Sequence, residues 1–263
     1  MKMVNVFQKK ILMVAVYAAE IMMKSGAEIY RVEDTVTRIC TAGRISNVEV
    51  FATPTGIFVS LDSGNENDDP LTYVKRIRST GTNLSKISKV NAFSREFYTT
   101  DLSVETGMEI LKDIDSEEEY PFFLRLLGAA MTCGFFALIF GGSIIDSLLA
   151  VISGIVCYVL ADILKKIDLN AFIRSFCCCG TAAFTALSAS MSVPDASYDP
   201  IIIGTIMLFV PGAAITNSIR DFLSGDMLSG LARMMEAVLT AVGLACGAGV
   251  ILKVWTMLGG VII

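Results

Sequence analysis

The sequence predicts a membrane α-helical protein with five transmembrane helices and an N-terminal α+β cytoplasmic domain. Three observations lead there. Charge is split unevenly, since residues 1–120 carry 14 Lys+Arg and 18 Asp+Glu while residues 121–263 carry only 7 and 8. The charge-poor part holds five long apolar stretches, each close to the ~20 residues that an α-helix needs to cross hydrocarbon. The charge-rich part changes period along its length, from helical spacing to β-rich runs and back. Residues 1–120 are therefore expected to form the cytoplasmic domain and 121–263 the five-span transmembrane domain.

Val4, Phe7, Ile11, Val14, Ala18 and Ile21 lie on one stripe at helical spacing and predict an amphipathic helix over 4–24. Two lysines ahead of ILMVAVYAA resemble a secretory leader, but Glu20 and Lys24 stand where a small-residue cleavage site belongs, so the helix is expected to remain and pack on the domain. After Ser25-Gly26, the spacing of Ile29, Val32, Val36 and Ile39 predicts a second amphipathic helix over 28–40. Residues 48–51 and 56–61 read as adjacent strands on either side of Pro54, the acidic, Asn-rich tract 62–70 as a surface loop, and 72–78 as a third strand. Helical spacing returns over 83–97 and 103–114, with Ser103 as an N-cap.

The five spans fall at 122–141, 144–164, 171–193, 201–219 and 233–254. Lys165, Lys166 and Arg174 flank the second loop and Arg220 and Arg233 the fourth, whereas the first and third loops have no Lys or Arg. By the positive-inside rule the N-terminal domain is inside and the C-terminus outside. Small residues at Gly128–Ala130, Gly180–Ala183 and Gly243–Gly249 predict close helix contacts, because lipid supplies no hydrophobic drive between helices. Asp162 is expected to pair with Lys165 or Lys166, while Asp146 has no such neighbour and is a coupling or gating candidate.

The fourth span is the unusual one. Pro211 and Gly212 interrupt it, and Thr216, Asn217, Arg220, Asp221, Ser224 and Asp226 crowd its far end. Pro removes a helical N–H and frees an acceptor at membrane depth, an arrangement that secondary transporters use to build solute sites. Pro211, Gly212, Asn217, Arg220 and Asp221 are thus candidate substrate-binding residues, with Asp226 as a second coupling candidate. The plain alternative is a kinked helix ending at an ordinary inner-face loop.

Other chemistries are excluded or disfavoured. There is no histidine, which removes every His-dependent triad and the usual His metal ligands. Seven cysteines include no CxxC pair and read as small apolar packing residues, so no metal, cofactor or catalytic residue is assigned. No basic patch interleaved with aromatics points to nucleic acid. No phosphate-binding loop is visible, which favours an ion gradient over ATP as the energy source.

The stretch SGAEIYRVEDTVTRI, the FATPTGIFVS segment, the five-span domain and PGAAITNSIRDFLSGDMLSGLAR together resemble the bacterial threonine/serine exporter family, whose two-component members include a succinate exporter. The resemblance implies export of small amino acids or dicarboxylates across the bacterial inner membrane. It also implies a second, smaller membrane subunit, because fused members continue with further spans beyond the position matching Trp255. Homo-oligomer formation is left open. Two other readings stand beside it. A membrane-tethered enzyme would use Thr53 and Thr55 with Glu28, Arg31 and Asp34, although Pro-Thr-Gly between β runs is turn chemistry. A solute-sensing regulatory protein would use the N-terminal domain.

Overall fold

The computed structural model describes residues 2–45, 47–62, 70–100, 102–118, 120–167 and 169–260, with side chains from residue 6 onward. Most of the expected tract at 62–70, and Glu119 at the end of the first domain, lie outside the described residues. The chain divides into two compact units. The first comprises Met1–Glu118 with Ala213–Met234, and the second Glu119–Gly212 with Met235–Ile263.

In the first unit, α1 (Lys2–Lys24) is the central element. It packs against α2 (Ile29–Ala42), α3 (Leu84–Thr99), α4 (Val104–Ser116), β2 (Gly56–Asp62) and β3 (Leu71–Arg76). The expected stripe is buried from Ile11 through Val14, Ala18 and Ile21, and Leu12, Val16, Ala19, Met22 and Met23 are buried as well. A helix apolar on all sides of its second half belongs inside, not on the rim. Phe7 departs from expectation and is exposed, because α2 ends at Ala42 and Gly43 meets α1 at Ile11, leaving the first turns of α1 uncovered. Ile29, Val32, Val36 and Ile39 of α2 are buried as the spacing requires.

The sheet has order β1-β2-β3 and is antiparallel throughout, with β1 at Asn47–Thr53. Thr53 pairs with Gly56, so Pro54-Thr55 forms a two-residue hairpin connection. Ala52, Ile57, Val59 and Leu61 face the core. Phe51, Phe58 and Val74 are aligned by register on the opposite, exposed face. Glu20 of α1 is nearly buried between Lys24 and Lys75, both at 2.8 Å. Burial alone would raise its pKa, but these two hydrogen-bonded cations outweigh that and hold the carboxyl below its ordinary value. Ser103 caps α4 by accepting from the Thr106 N–H, as expected.

The second unit contains α5 (Phe122–Ile139), α6 (Ile144–Lys166), α7 (Ala171–Ser192), α8 (Tyr198–Ile206) and most of α10 (Met227–Met257). Four helices among the described residues, α5, α6, α7 and α10, are long and apolar enough to cross a membrane. The expected fourth span, 201–219, is instead divided into α8 and α9 (Gly212–Leu223), neither of that length. Outward-facing Phe123, Leu127, Ile139, Ile144, Ile152 and Leu148 stay exposed, so these helices carry an apolar belt that suits hydrocarbon and not water. Inside, Ala129, Ala130, Cys133 and Ala137 of α5 are buried, as are Ala150 and Cys157 of α6 and Ala183 and Ala186 of α7. Asp162 pairs with Lys166 at 2.8 Å, as expected.

Small residues are obligatory at only some of these contacts. A β-carbon on Gly204 would lie 2.6 Å from the Cys133 carbonyl oxygen and 2.8 Å from the Ala137 nitrogen, backbone that has no freedom to yield. Gly212 meets nothing within 4 Å. Gly204→Ala is therefore expected to lower stability by about 1–3 kcal/mol through overpacking, and Gly212→Ala to stay within about 0.5 kcal/mol of the parent. Thermal unfolding of the two variants in the same detergent checks the contrast.

Candidate functional site

The interrupted segment is built as the Pro-Gly pair dictates. Helix α8 stops at Ile206, turns follow at Leu208 and Phe209, and Gly212 opens α9 directly after Pro211. Pro just before the first helical turn costs nothing, because the N–H it lacks would be unpaired there anyway. After Leu223 α9 ends in a Schellman motif: the Asp226 N–H donates to the Asp221 carbonyl at 2.9 Å and the Gly225 N–H to that of Phe222 at 3.1 Å. Gly225 sits at φ +93°, which a side chain would strain. The Ser218 hydroxyl donates to the Gly230 carbonyl at 2.7 Å and fastens α9 to the start of α10.

The same motif closes α1. The Ala27 N–H donates to the Met22 carbonyl and the Gly26 N–H to that of Met23, with Gly26 at φ +82°. The exit segment Gly26-Ala27-Glu28-Ile29 then lies against the α9–α10 hairpin, within the first unit. Each of its four residues is held by a different hairpin side chain. The Asn217 amide donates to the Gly26 carbonyl at 2.9 Å, and the Arg233 guanidinium donates to that of Ala27 at 2.6 Å. Arg220 pairs with the Glu28 carboxylate, and Asp221 accepts from the Ile29 N–H at 3.2 Å.

Asp221 thereby caps α2 from outside it. Glu28, in the N-cap position, makes no side-chain cap bond, so the first N–H groups of α2 need another acceptor. Asp221 is 0 % exposed, and Arg233, 8 % exposed, places its Nε 3.2 Å from Oδ2. That contact is an ion pair without hydrogen-bond alignment, and Oδ2 has no hydrogen-bond partner. Burial raises the Asp221 pKa against the opposing Arg233 charge. Asp226 has neither a hydrogen bond nor an ion pair for its carboxylate among the described residues, and burial raises its pKa too.

The sequence candidates thus divide into three groups. Asn217, Arg220 and Asp221 converge on one segment, with Asp226 beside them in the hairpin turn. Pro211 and Gly212 mark the break before that group. Asp146 belongs to the second unit, where Oδ2 accepts from the Ser143 N–H and hydroxyl in a capping box and Oδ1 accepts from the Ser197 N–H at 2.7 Å. Sequence reasoning missed Arg233 and the 26–29 segment as site components. Nothing local in either stretch of sequence names the other as its partner.

The residues of the enzyme reading are used locally. Thr53 donates to the Gly56 carbonyl at 3.2 Å inside the hairpin turn, Asp34 pairs with Arg38, and Arg31 with Glu28. Cys40, Cys133, Cys157, Cys178 and Cys179 are buried free thiols, whereas Cys246 is exposed and so is not a packing residue within this chain.

Two outcomes are expected from this cluster. Asp221→Ala leaves the Arg233 charge buried without its counter-ion and should cost about 3–5 kcal/mol, and the Asp221→Ala, Arg233→Leu double variant should recover part of it; denaturant titration of the single and double variants measures the difference. Asp226 has a folded-state pKa above its ordinary value, so the folded state binds its proton more tightly and stability falls as pH rises through that window. Asp226→Asn should raise the thermal midpoint at pH 7 and flatten this part of the pH profile.

The comparisons with known proteins follow the same lines. The chain is 24% identical over 242 residues to a protein described as a probable threonine/serine exporter from Mycobacterium tuberculosis, an alignment covering 91% of this chain and 45% of that one. It is 25% identical over 235 residues to the threonine/serine exporter of Corynebacterium glutamicum, covering 88% and 48% respectively. The chain therefore spans about half the length of these two relatives. It is 22% identical over 258 residues to a probable succinate transporter subunit from Escherichia coli K12, covering 97% of this chain and 98% of that one. No solved structure matches it significantly. The sequence pattern of one family matches residues 13–255, nearly the whole described chain, and this membrane protein belongs to that family, the threonine/serine exporters.

Proposed function

We propose that the chain is the larger component of a two-chain secondary exporter in the bacterial cytoplasmic membrane. It moves small amino acids such as serine or threonine, or dicarboxylates such as succinate. The observation that carries this reading is the interrupted segment, in which an apolar helix stops at Ile206 and a second helix sets Asn217, Arg220 and Asp221 within about three turns of the break. Half-helices ending at hydrogen-bonding groups let a polar solute be held where lipid-exposed irregular backbone would be untenable. The relatives matched over almost their whole length are named as subunits, which supports a second membrane chain.

In this reading Pro211 and Gly212 keep the segment broken, and Arg220 presents its planar fork to a solute carboxylate. Asn217 orients the solute's remaining polar group. Asp221 holds the site's backbone in place, and Asp226, an acid without a cation partner among the described residues and with a raised pKa, is the coupling carboxyl. Asp146, joining the first turn of α6 to Ser197, is the gating candidate. The interrupted segment counts as the fourth of five passes, with the N-terminal domain in the cytoplasm and the C-terminus outside.

The deciding assay is flux of radiolabelled serine, threonine and succinate from vesicles holding this chain with and without a candidate partner. Transport by the pair and none by the chain alone is expected; equal rates would sink the two-chain reading. Arg220→Lys should insert normally yet lose about 1–3 kcal/mol in apparent solute binding, because the charge is kept and the fork is lost, and Arg220→Ala should abolish transport. For topology, thiol-labelling of a cysteine placed at each terminus should find the N-terminus inside and the C-terminus outside, and a cytoplasmic C-terminus would rule out five passes.

A further inference from the structure

Glu28 is bound by two guanidinium groups, not one. Arg220 pairs with Oε1, and Arg31 brings its Nε to 3.0 Å from Oε2, so each carboxylate oxygen has its own cation. Arg31 is steadied by the Tyr30 hydroxyl, which accepts from the same Nε at 3.1 Å, and by the Tyr30 ring 5.7 Å from its guanidinium carbon. The Glu28 side chain is 10 % exposed, but Arg220 and Arg31 open outward at 51 % and 39 %. Two cations meet on this one anion, and the neighbouring Asp221 has a cation of its own in Arg233.

Among the described residues, the Glu28 side chain forms no cap bond to α2 and no hydrogen bond or ion pair beyond these two arginines. The backbone around it is secured by other groups, namely Asn217 on the Gly26 carbonyl, Arg233 on that of Ala27 and Asp221 on the Ile29 N–H. Release of the Glu28 carboxylate would leave that framework in place. We propose that Arg31 and Arg220 form a binding site for a small carboxylate, and that Glu28 is a resident competitor which the solute's carboxylate displaces on entry. This rests on the exporter reading and adds to it a second arginine, Arg31 from the N-terminal domain, and a built-in gate. A site that fills itself when empty keeps its two guanidinium groups paired, and it lets only a ligand offering two carboxylate oxygens open it.

Equilibrium binding of radiolabelled succinate and serine to the purified full chain in detergent tests this. Glu28→Gln removes the competing charge with little change in shape, and is expected to bind roughly tenfold more tightly than wild type, since the competitor reduces the fraction of open sites. Arg31→Ala or Arg220→Ala, placed in the Glu28→Gln background, should each reverse the gain. Affinity unchanged or weakened in Glu28→Gln overturns the proposal, as does inorganic phosphate competing as well as succinate, which would mark a site for anions in general. Should Glu28→Gln fail to fold, Glu28→Asp, whose arm is one methylene short, must still bind more tightly than wild type or the proposal falls. Flux by the wild-type pair separates the two readings: transport with no effect of Glu28 substitution removes the gate alone, whereas no transport of any of these solutes removes the exporter reading.

Discussion

The buried Asp221–Arg233 pair is the interaction on which the first unit's unusual construction depends. It sits in a segment nearly 200 residues away in sequence from the one it holds, as the Ile29–Asp221 separation of 192 positions shows. Two charges taken out of water are tolerable only when each is matched and hydrogen-bonded, and here the matching groups include main-chain atoms at the end of α1 and the start of α2. The pair therefore fixes where α1 hands over to α2. It also obliges residues 213–234 to fold with the N-terminal elements and not with the apolar helices on either side of them in sequence.

Both halves of that contact end in the same local device. Schellman motifs at Gly26 and Gly225 turn the chain sharply while satisfying the last helical carbonyls, so the two corners present short, well-ordered polar stretches. This explains why the glycines stand beside the charged residues in both blocks. A flexible loop carrying the same side chains would lose more conformational entropy on docking, and the four contacts would hold it less firmly.

The second unit follows a different economy. Its helices offer lipid-facing Phe, Leu and Ile outward and Ala, Gly, Ser and Cys inward, so contact is made by close backbone approach and not by large interdigitating side chains. The hydroxyls of Ser147, Ser153 and Thr185 are spent on helix carbonyls and on one another, which satisfies them without water. Asp146 does the same with three donors at the start of α6, and a carboxylate so saturated has a clear structural task at the unit's edge whatever else it does.

Much of this was legible in the amino-acid sequence, and the physical reason is locality. Helical and β periods report which face of an element is apolar, so α2, α3, α4, the three strands and the helices at 122, 144 and 171 were found to within a few residues, and the Ser103 cap and the Asp162–Lys166 pair rest on neighbours three or four positions apart. Pro211-Gly212 announced a break because its effect on the backbone is intrinsic. What the sequence could not determine were outcomes set by competition between distant groups. The break became a full separation into α8 and α9, Phe7 was left uncovered, and the polar end of α9 found its partners at residues 26–29. A long-range pairing leaves no periodic trace, since any buried acid needs some counter-charge and nothing local says which. Only the tertiary structure decided that Arg233 answers Asp221 and that Glu28 lies between Arg31 and Arg220.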